Sequence, residues 1–123
     1  MKIIFAKLNN DPPHSLSKKD IKRIFTLVPK KWTSLVDQVI FSAEIFQNSR
    51  FDRPVIHSSY SSRLNILSRG FSKEDIVKEV FRELGVNGGI AKTGYAKHLP
   101  KSELDKLDLV IAPYLDSFLN EKT

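Results

Sequence analysis

Apolar residues recur at helical intervals in three segments of the chain. Each segment begins with a serine three positions before an aspartate, the spacing of a capping box: Ser17–Asp20, Ser72–Asp75 and Ser102–Asp105. We therefore predict three helices that begin at these serines. Pro29 ends the first helix, and Gly85 is expected to end the second. Pro113 lies inside the third and is expected to kink or split it, because proline cannot donate the helical hydrogen bond.

Shorter segments show the alternation or β-branched composition of strands. They are 2–7, 36–46, 53–57 and 63–67, and the polar residues 58–62 between the last two predict a hairpin turn. The second segment alternates at Val39, Phe41 and Ala43, which favours a strand. Ile45 and Phe46 either extend that strand or leave it, so the structure of residues 36–50 stays open. A short helical turn is expected at 29–32.

The resulting order is strand, helix, several strands, helix, helix. This order predicts an α+β fold, with helices packed on one face of a small, mostly antiparallel sheet. A length of 123 residues fits one globular domain spanning 1–123. Residues 8–16 form a proline-rich connecting loop within it, and residues 87–101 form a glycine-bearing loop.

Composition excludes several classes of site. The chain has no cysteine, which excludes disulfides, thiolate zinc sites, iron–sulfur clusters and a cysteine nucleophile. The apolar stretch after Lys2 is shorter than an export signal, and no run of about 18 apolar residues occurs, so we expect a cytoplasmic protein without a membrane partner. The formal net charge is +6, and residues 1–35 alone carry eight basic and two acidic residues.

The segment Arg82-Glu83-Leu84-Gly85-Val86 resembles the metalloprotease motif His-Glu-Leu-Gly-His with both histidines replaced. The order of the surrounding elements is similar to that of small zincin-like domains. A Pro29-Lys30-Lys31-Trp32 turn precedes a strand, and a Ser-capped helix follows a strand that ends near Arg69. The resemblance covers roughly residues 29–86 and implies a degenerate zincin-like domain, in which the motif helix follows the edge strand of the sheet.

This resemblance implies a domain that binds rather than catalyses. Arg82 is a permanent cation and Val86 has no donor atom, so neither can hold zinc, and we expect no cofactor and no metal. In zincin-like folds the motif helix and the segment after it border a substrate cleft. The candidate partner-binding residues are therefore Arg82, Glu83, Tyr95 and His98. The alternative for Glu83 is a solvated residue that pairs with Lys78 or Arg82.

Three histidines are the remaining candidates for metal ligands. His14, His57 and His98 lie 43 and 41 residues apart, so no pair has a local ligand spacing. Independent histidines are favoured over a shared site, and whether the three converge in space is left open.

A basic cluster in the first third of the chain supports an alternative function. Lysine and arginine there could neutralise phosphates, while an adjacent tryptophan could stack on a base. The residues are Lys18, Lys19, Lys22, Arg23, Lys30, Lys31 and Trp32. No recognised nucleic-acid-binding signature accompanies them.

Two functions are therefore predicted. The first is a non-catalytic zincin-like domain that binds a protein or peptide. An accessory protein of a phage or mobile element is one hypothesis for its biological setting. The alternative is a basic nucleic-acid-binding module. The oligomeric state is left open.

Overall fold

A computed structural model describes residues 1–58, 60–89 and 100–120. In this part of the chain the elements are β1 (Lys2–Phe5), α1 (Lys18–Leu27), α2 (Lys30–Thr33), β2 (Gln38–Phe41), β3 (Val55–Ser58), β4 (Arg63–Ile66), α3 (Lys73–Asn87) and α4 (Lys101–Asn120). A single 3₁₀ turn, Phe46–Asn48, follows β2. The α+β class is confirmed. Residues 36–50 form a short strand and then leave the sheet.

The four strands form one mixed sheet in the order β1-β2-β4-β3. The prediction of a mostly antiparallel sheet is wrong, because β1–β2 and β2–β4 are parallel and only the β3–β4 hairpin is antiparallel. The connections explain this arrangement. Helices α1 and α2 lie between β1 and β2 and return the chain to the same end of the sheet. Strand β3 runs backwards along the edge, so β4 enters beside β2 in the parallel direction.

The helices share one core with one face of the sheet. The register places the buried strand residues on the same face: Val39, Phe41, Val55, Leu64 and Ile66. They form a single apolar cluster with residues of α1, α2, α3 and α4. The opposite face of the sheet does not belong to this cluster.

The serine caps set the starts of two helices. Ser17 and Asp20 form a complete capping box, and the Ser72 hydroxyl accepts a hydrogen bond from the Asp75 amide. The third helix departs from prediction, because α4 begins at Lys101, one residue before Ser102, and continues through Pro113 without splitting.

The prediction that Gly85 ends α3 is wrong, because the helix continues to Asn87 and Gly88 is its C-cap. Gly85 instead allows α4 to approach α3 closely, since a Cβ there would lie 2.6 Å from Leu107 Cδ1. At Gly88 a Cβ would lie 2.2 Å from Trp32 Cδ1. Close packing between elements therefore requires glycine at both positions.

Arg69 ties together the loops at the carboxyl ends of the parallel strands. Its side chain is buried and donates to the carbonyl oxygens of Asn10, Pro12 and Ala43, and to the Asn10 side-chain amide oxygen. These contacts join residues 8–16 to the exits from β2 and β4. Within the described ranges no helix is both long and apolar enough to cross a membrane.

Candidate functional site

A cleft of about 330 Å³ lies where β3, α3 and the start of α4 meet. Its apolar lining is Phe46, Pro54, Val55, Phe71, Val86 and Leu104. Its charged lining is Asp52, Arg53, Glu79, Arg82 and Glu83. Two predicted site residues, Arg82 and Glu83, therefore lie together in a concavity with apolar walls, the usual composition of a ligand site.

Glu83 is buried, with 6% of its surface exposed, rather than solvated. One carboxylate oxygen accepts from Arg53 Nη1 at 2.9 Å, and the other accepts from the backbone N–H of His57 at 3.2 Å. Glu83 therefore links α3 to β3, and the alternative of pairing with Lys78 or Arg82 is wrong. Lys78 and Arg82 are near Glu83 in sequence, but the carboxylate of Glu83 turns inward, toward the sheet.

Arg82 links α3 to α4. Its Nε and Nη2 donate to the two carboxylate oxygens of Asp108 at 2.8 and 2.9 Å, and Nη1 donates to Glu79 at 2.8 Å. A two-point guanidinium–carboxylate pair has a fixed orientation, which lysine could not reproduce. The side chain in the first histidine position of the resembled motif thus fastens two helices at the margin of the cleft.

The carboxylates of these two links have opposite pKa shifts. Burial raises the pKa of Glu83, and the nearby Arg53 guanidinium and His57 N–H only partly oppose it. Hydrogen bonds from Arg82 lower the pKa of Asp108. The same bonds raise the pKa of Arg82, so that residue stays charged.

The residues around Glu83 do not fit a zinc ion. Arg82 occupies one histidine position of the motif with its charge already paired, and Val86 offers no ligand atom at the other. Across residues 1–58, 60–89 and 100–120, no three histidine or acidic side chains are grouped so that they could hold a metal. The chemistry that this arrangement supports is recognition by apolar contact, hydrogen bonding and charge.

Strand β3 forms the outer edge of the sheet beside the cleft. The Leu67 amide donates to the Pro54 carbonyl, so the antiparallel alternation turns the N–H and C=O of Val55 and His57 away from β4. Glu83 accepts the His57 N–H, and Val55 itself lies in the cleft wall. The resemblance implied that β4, the strand before α3, lies at the edge of the sheet. This is wrong, because β4 lies between β2 and β3, and the edge strands are β1 and β3.

The remaining predicted site residues do not all join this cleft. Tyr95 and His98 lie outside the described residues. His14 Nε2 bonds to the Ala6 carbonyl, whereas His57 Nε2 bonds to the Leu35 carbonyl, so each imidazole is held by a different loop.

The basic cluster is only partly available at the surface. Its five lysines are exposed: Lys18, Lys19, Lys22, Lys30 and Lys31. Trp32 is 2% exposed and packs against Tyr114, so it cannot stack on a base. Arg23 donates to the Phe118 carbonyl at 2.8 Å, and its guanidinium lies 4.4 Å from the centre of the Phe118 ring. Both side chains contact α4 and hold helices together: the Trp32 ring packs against Tyr114, and the Arg23 guanidinium lies over Phe118.

Sequence reasoning missed Arg53, Phe46 and Phe71 as parts of the site. Arg53 lies 30 positions before its partner Glu83, so no local spacing joins them. Glu83 is the only sequence signal for such a partner, because a carboxylate that is buried needs a cation or hydrogen-bond donors. Using this signal requires knowing that Glu83 lies on the buried face of α3.

No family model, curated protein or solved structure matches the chain.

Proposed function

We propose that the protein is a non-catalytic, zincin-like binding domain that holds an extended peptide segment of a partner protein in the cleft along β3. The observation that carries the proposal is the meeting of an edge strand and an apolar cleft at Val55. Because Glu83 already accepts the His57 N–H and Val55 is buried, an extended chain engages this edge by placing an apolar side chain in the adjacent concavity.

The charged lining supports binding rather than bond cleavage. Arg82 and Glu83 are engaged with Asp108, Glu79 and Arg53, so they shape the cleft. Glu83 also accepts the His57 amide, which keeps the edge strand fixed against α3. A cleft wall held in place before binding loses less entropy when a ligand contacts it.

Peptide titration followed by amide NMR tests this function. Short, uncharged peptides rich in apolar and β-branched residues are expected to shift the signals of Val55, His57 and Val86. A Val86→Trp substitution fills the cleft and is expected to weaken binding at least tenfold. The matched control is Leu109→Trp, at a position that is 78% exposed on α4 and does not line the cleft.

Two results would contradict the proposal. One is peptide binding that Val86→Trp leaves unchanged, and the other is zinc retained at one ion per chain after purification. Added zinc is expected to leave the melting temperature unchanged, because the motif positions supply no ligand pair. A cytoplasmic location stays a prediction that cell fractionation can check, and the phage or mobile-element setting stays a hypothesis.

Binding of nucleic acid through α1 and α2 is the second candidate. The observation that favours it is the set of five exposed lysines, whose ammonium groups have no carboxylate of the described residues within 4 Å. If it holds, affinity for short DNA or RNA falls steeply with salt, and Lys19→Glu with Lys22→Glu reduces the slope. The absence of binding at low salt would exclude it.

A further inference from the structure

The second face of the sheet carries an apolar row. The register aligns Ile4, Ile40, Asn65 and Ile56 across the four strands. Ile4 is 37% exposed, and the other three are half-buried. Among the described residues, the three isoleucines neither belong to the core cluster nor pack against it. A sheet with one solvated face normally presents polar residues there, so this row is a candidate contact surface.

The neighbouring row of the same face is basic. It consists of Lys2, Gln38, Arg63 and Ser58, and both Lys2 and Arg63 are exposed. No strand of the sheet contains an acidic residue. A second copy of the chain, placed face to face, would offer these cations no counter-charge. A partner with carboxylates would pair with them.

The size of the face indicates what kind of partner fits. Four strands about 4.8 Å apart and four residues long give a face of about 14 by 13 Å. A face this small supports a weak complex, since a standard protein–protein interface buries roughly 800 Å² per partner. A helix of about three turns is about 15 Å long and would cover it. Helices are the usual elements that pack on the face of a sheet.

We propose that this sheet face, which lies outside the apolar cluster of the described residues, binds an amphipathic helix of a partner protein. The apolar side of that helix contacts Ile4, Ile40 and Ile56, and its carboxylates pair with Lys2 and Arg63. This surface lies on the opposite side of the sheet from the core and shares no residue with the lining of the peptide cleft.

The test uses two synthetic helical peptides of 14 residues. Both carry leucine at helical spacing, and the other positions are mainly glutamate in one and lysine in the other. Amide NMR of the full chain at low salt is expected to show shifts on β1, β2 and β4 with the glutamate peptide, and binding at least tenfold weaker with the lysine peptide.

Variants separate this surface from the cleft. Ile4→Thr, in the edge strand β1, and Lys2→Glu are each expected to lower the affinity for the glutamate peptide at least fivefold. The controls Leu109→Thr and Val86→Trp should leave this affinity unchanged. Equal affinity for both peptides, or binding retained by Ile4→Thr and Lys2→Glu, would overturn the proposal. So would shifts confined to Val55 and Val86, or a dimer in sedimentation that Ile4→Thr abolishes.

Discussion

At the scale of single residues, Gly88 shows how a missing side chain can determine packing. Its backbone conformation suits any residue, with φ at −76°, but a Cβ would overlap the buried Trp32 ring. Gly88→Ala is therefore expected to lower the free energy of unfolding by about 1–3 kcal/mol, the usual cost of overpacking. Urea denaturation followed by circular dichroism measures this change.

Gly89 is the matched control for Gly88. A Cβ at Gly89 meets no atom within 4 Å, and its φ of +83° costs an alanine only backbone strain, about 1 kcal/mol. If Gly89→Ala destabilises the protein more than Gly88→Ala does, the steric explanation for Gly88 is wrong.

Because the pKa of Glu83 is raised and the pKa of Asp108 is lowered, we expect the two carboxylates to change the pH dependence of stability in opposite directions. The folded-state pKa of Glu83 is raised above its usual 4.5, so its contribution to stability falls as pH rises from 4.5 through the raised pKa. The pKa of Asp108 is lowered from 3.8, so its contribution is present above 3.8 and disappears as pH falls through the lowered pKa.

Substitution by the neutral isosteres checks both signs. At pH 7, Glu83→Gln removes a buried charge but also replaces one acceptor oxygen by an NH₂ group facing a donor, so we expect the free energy of unfolding to change by less than about 1 kcal/mol in either direction. Asp108→Asn is expected to lower it by about 1–2 kcal/mol, since the charged hydrogen bonds of Arg82 weaken. Unfolding measured from pH 7 to below pH 3.8 should show the Glu83 effect shrinking as pH falls toward 4.5 and the Asp108 effect shrinking only below 3.8. A large destabilisation by Glu83→Gln at pH 7 would contradict this account.

At the scale of elements, Arg69 joins loops that sequence distance separates. Its partners Asn10 and Pro12 lie almost 60 positions away, and Ala43 lies 26 away. Arg69→Met would remove the charged donor from three loop carbonyl groups, two of them on exposed residues that water can reach, and we expect a loss of about 1.5–3 kcal/mol in the free energy of unfolding. Hydrogen exchange should show faster exchange across residues 8–16 and 43–45. Arg50→Met, at an exposed position, serves as the control and should change neither measurement.

At the scale of the whole molecule, the core is continuous. Every helix and strand contributes at least one residue to the apolar cluster or packs against it. We therefore expect cooperative unfolding without a populated intermediate. Fluorescence of Trp32, the single tryptophan, and circular dichroism at 222 nm should give the same midpoint in urea. Leu107→Ala should shift both midpoints together, and two separate transitions would show that α4 unfolds independently.

Local chemistry in the sequence was enough to predict the α+β class, the capped starts of α1 and α3, the β3–β4 hairpin and the placement of Arg82 and Glu83 on one helix. Caps and turns are decided by neighbouring residues, so their signals are local. Only the tertiary structure decided that β4 enters beside β2, that Gly85 and Gly88 serve packing, and that Glu83 turns inward to meet Arg53. These features depend on contacts between residues 22 to 56 positions apart, whose energies appear only when packed surfaces exclude water. The same reason explains the fate of the basic cluster, since the burial of Trp32 under α4 is a property of the assembled core and not of the segment that contains it.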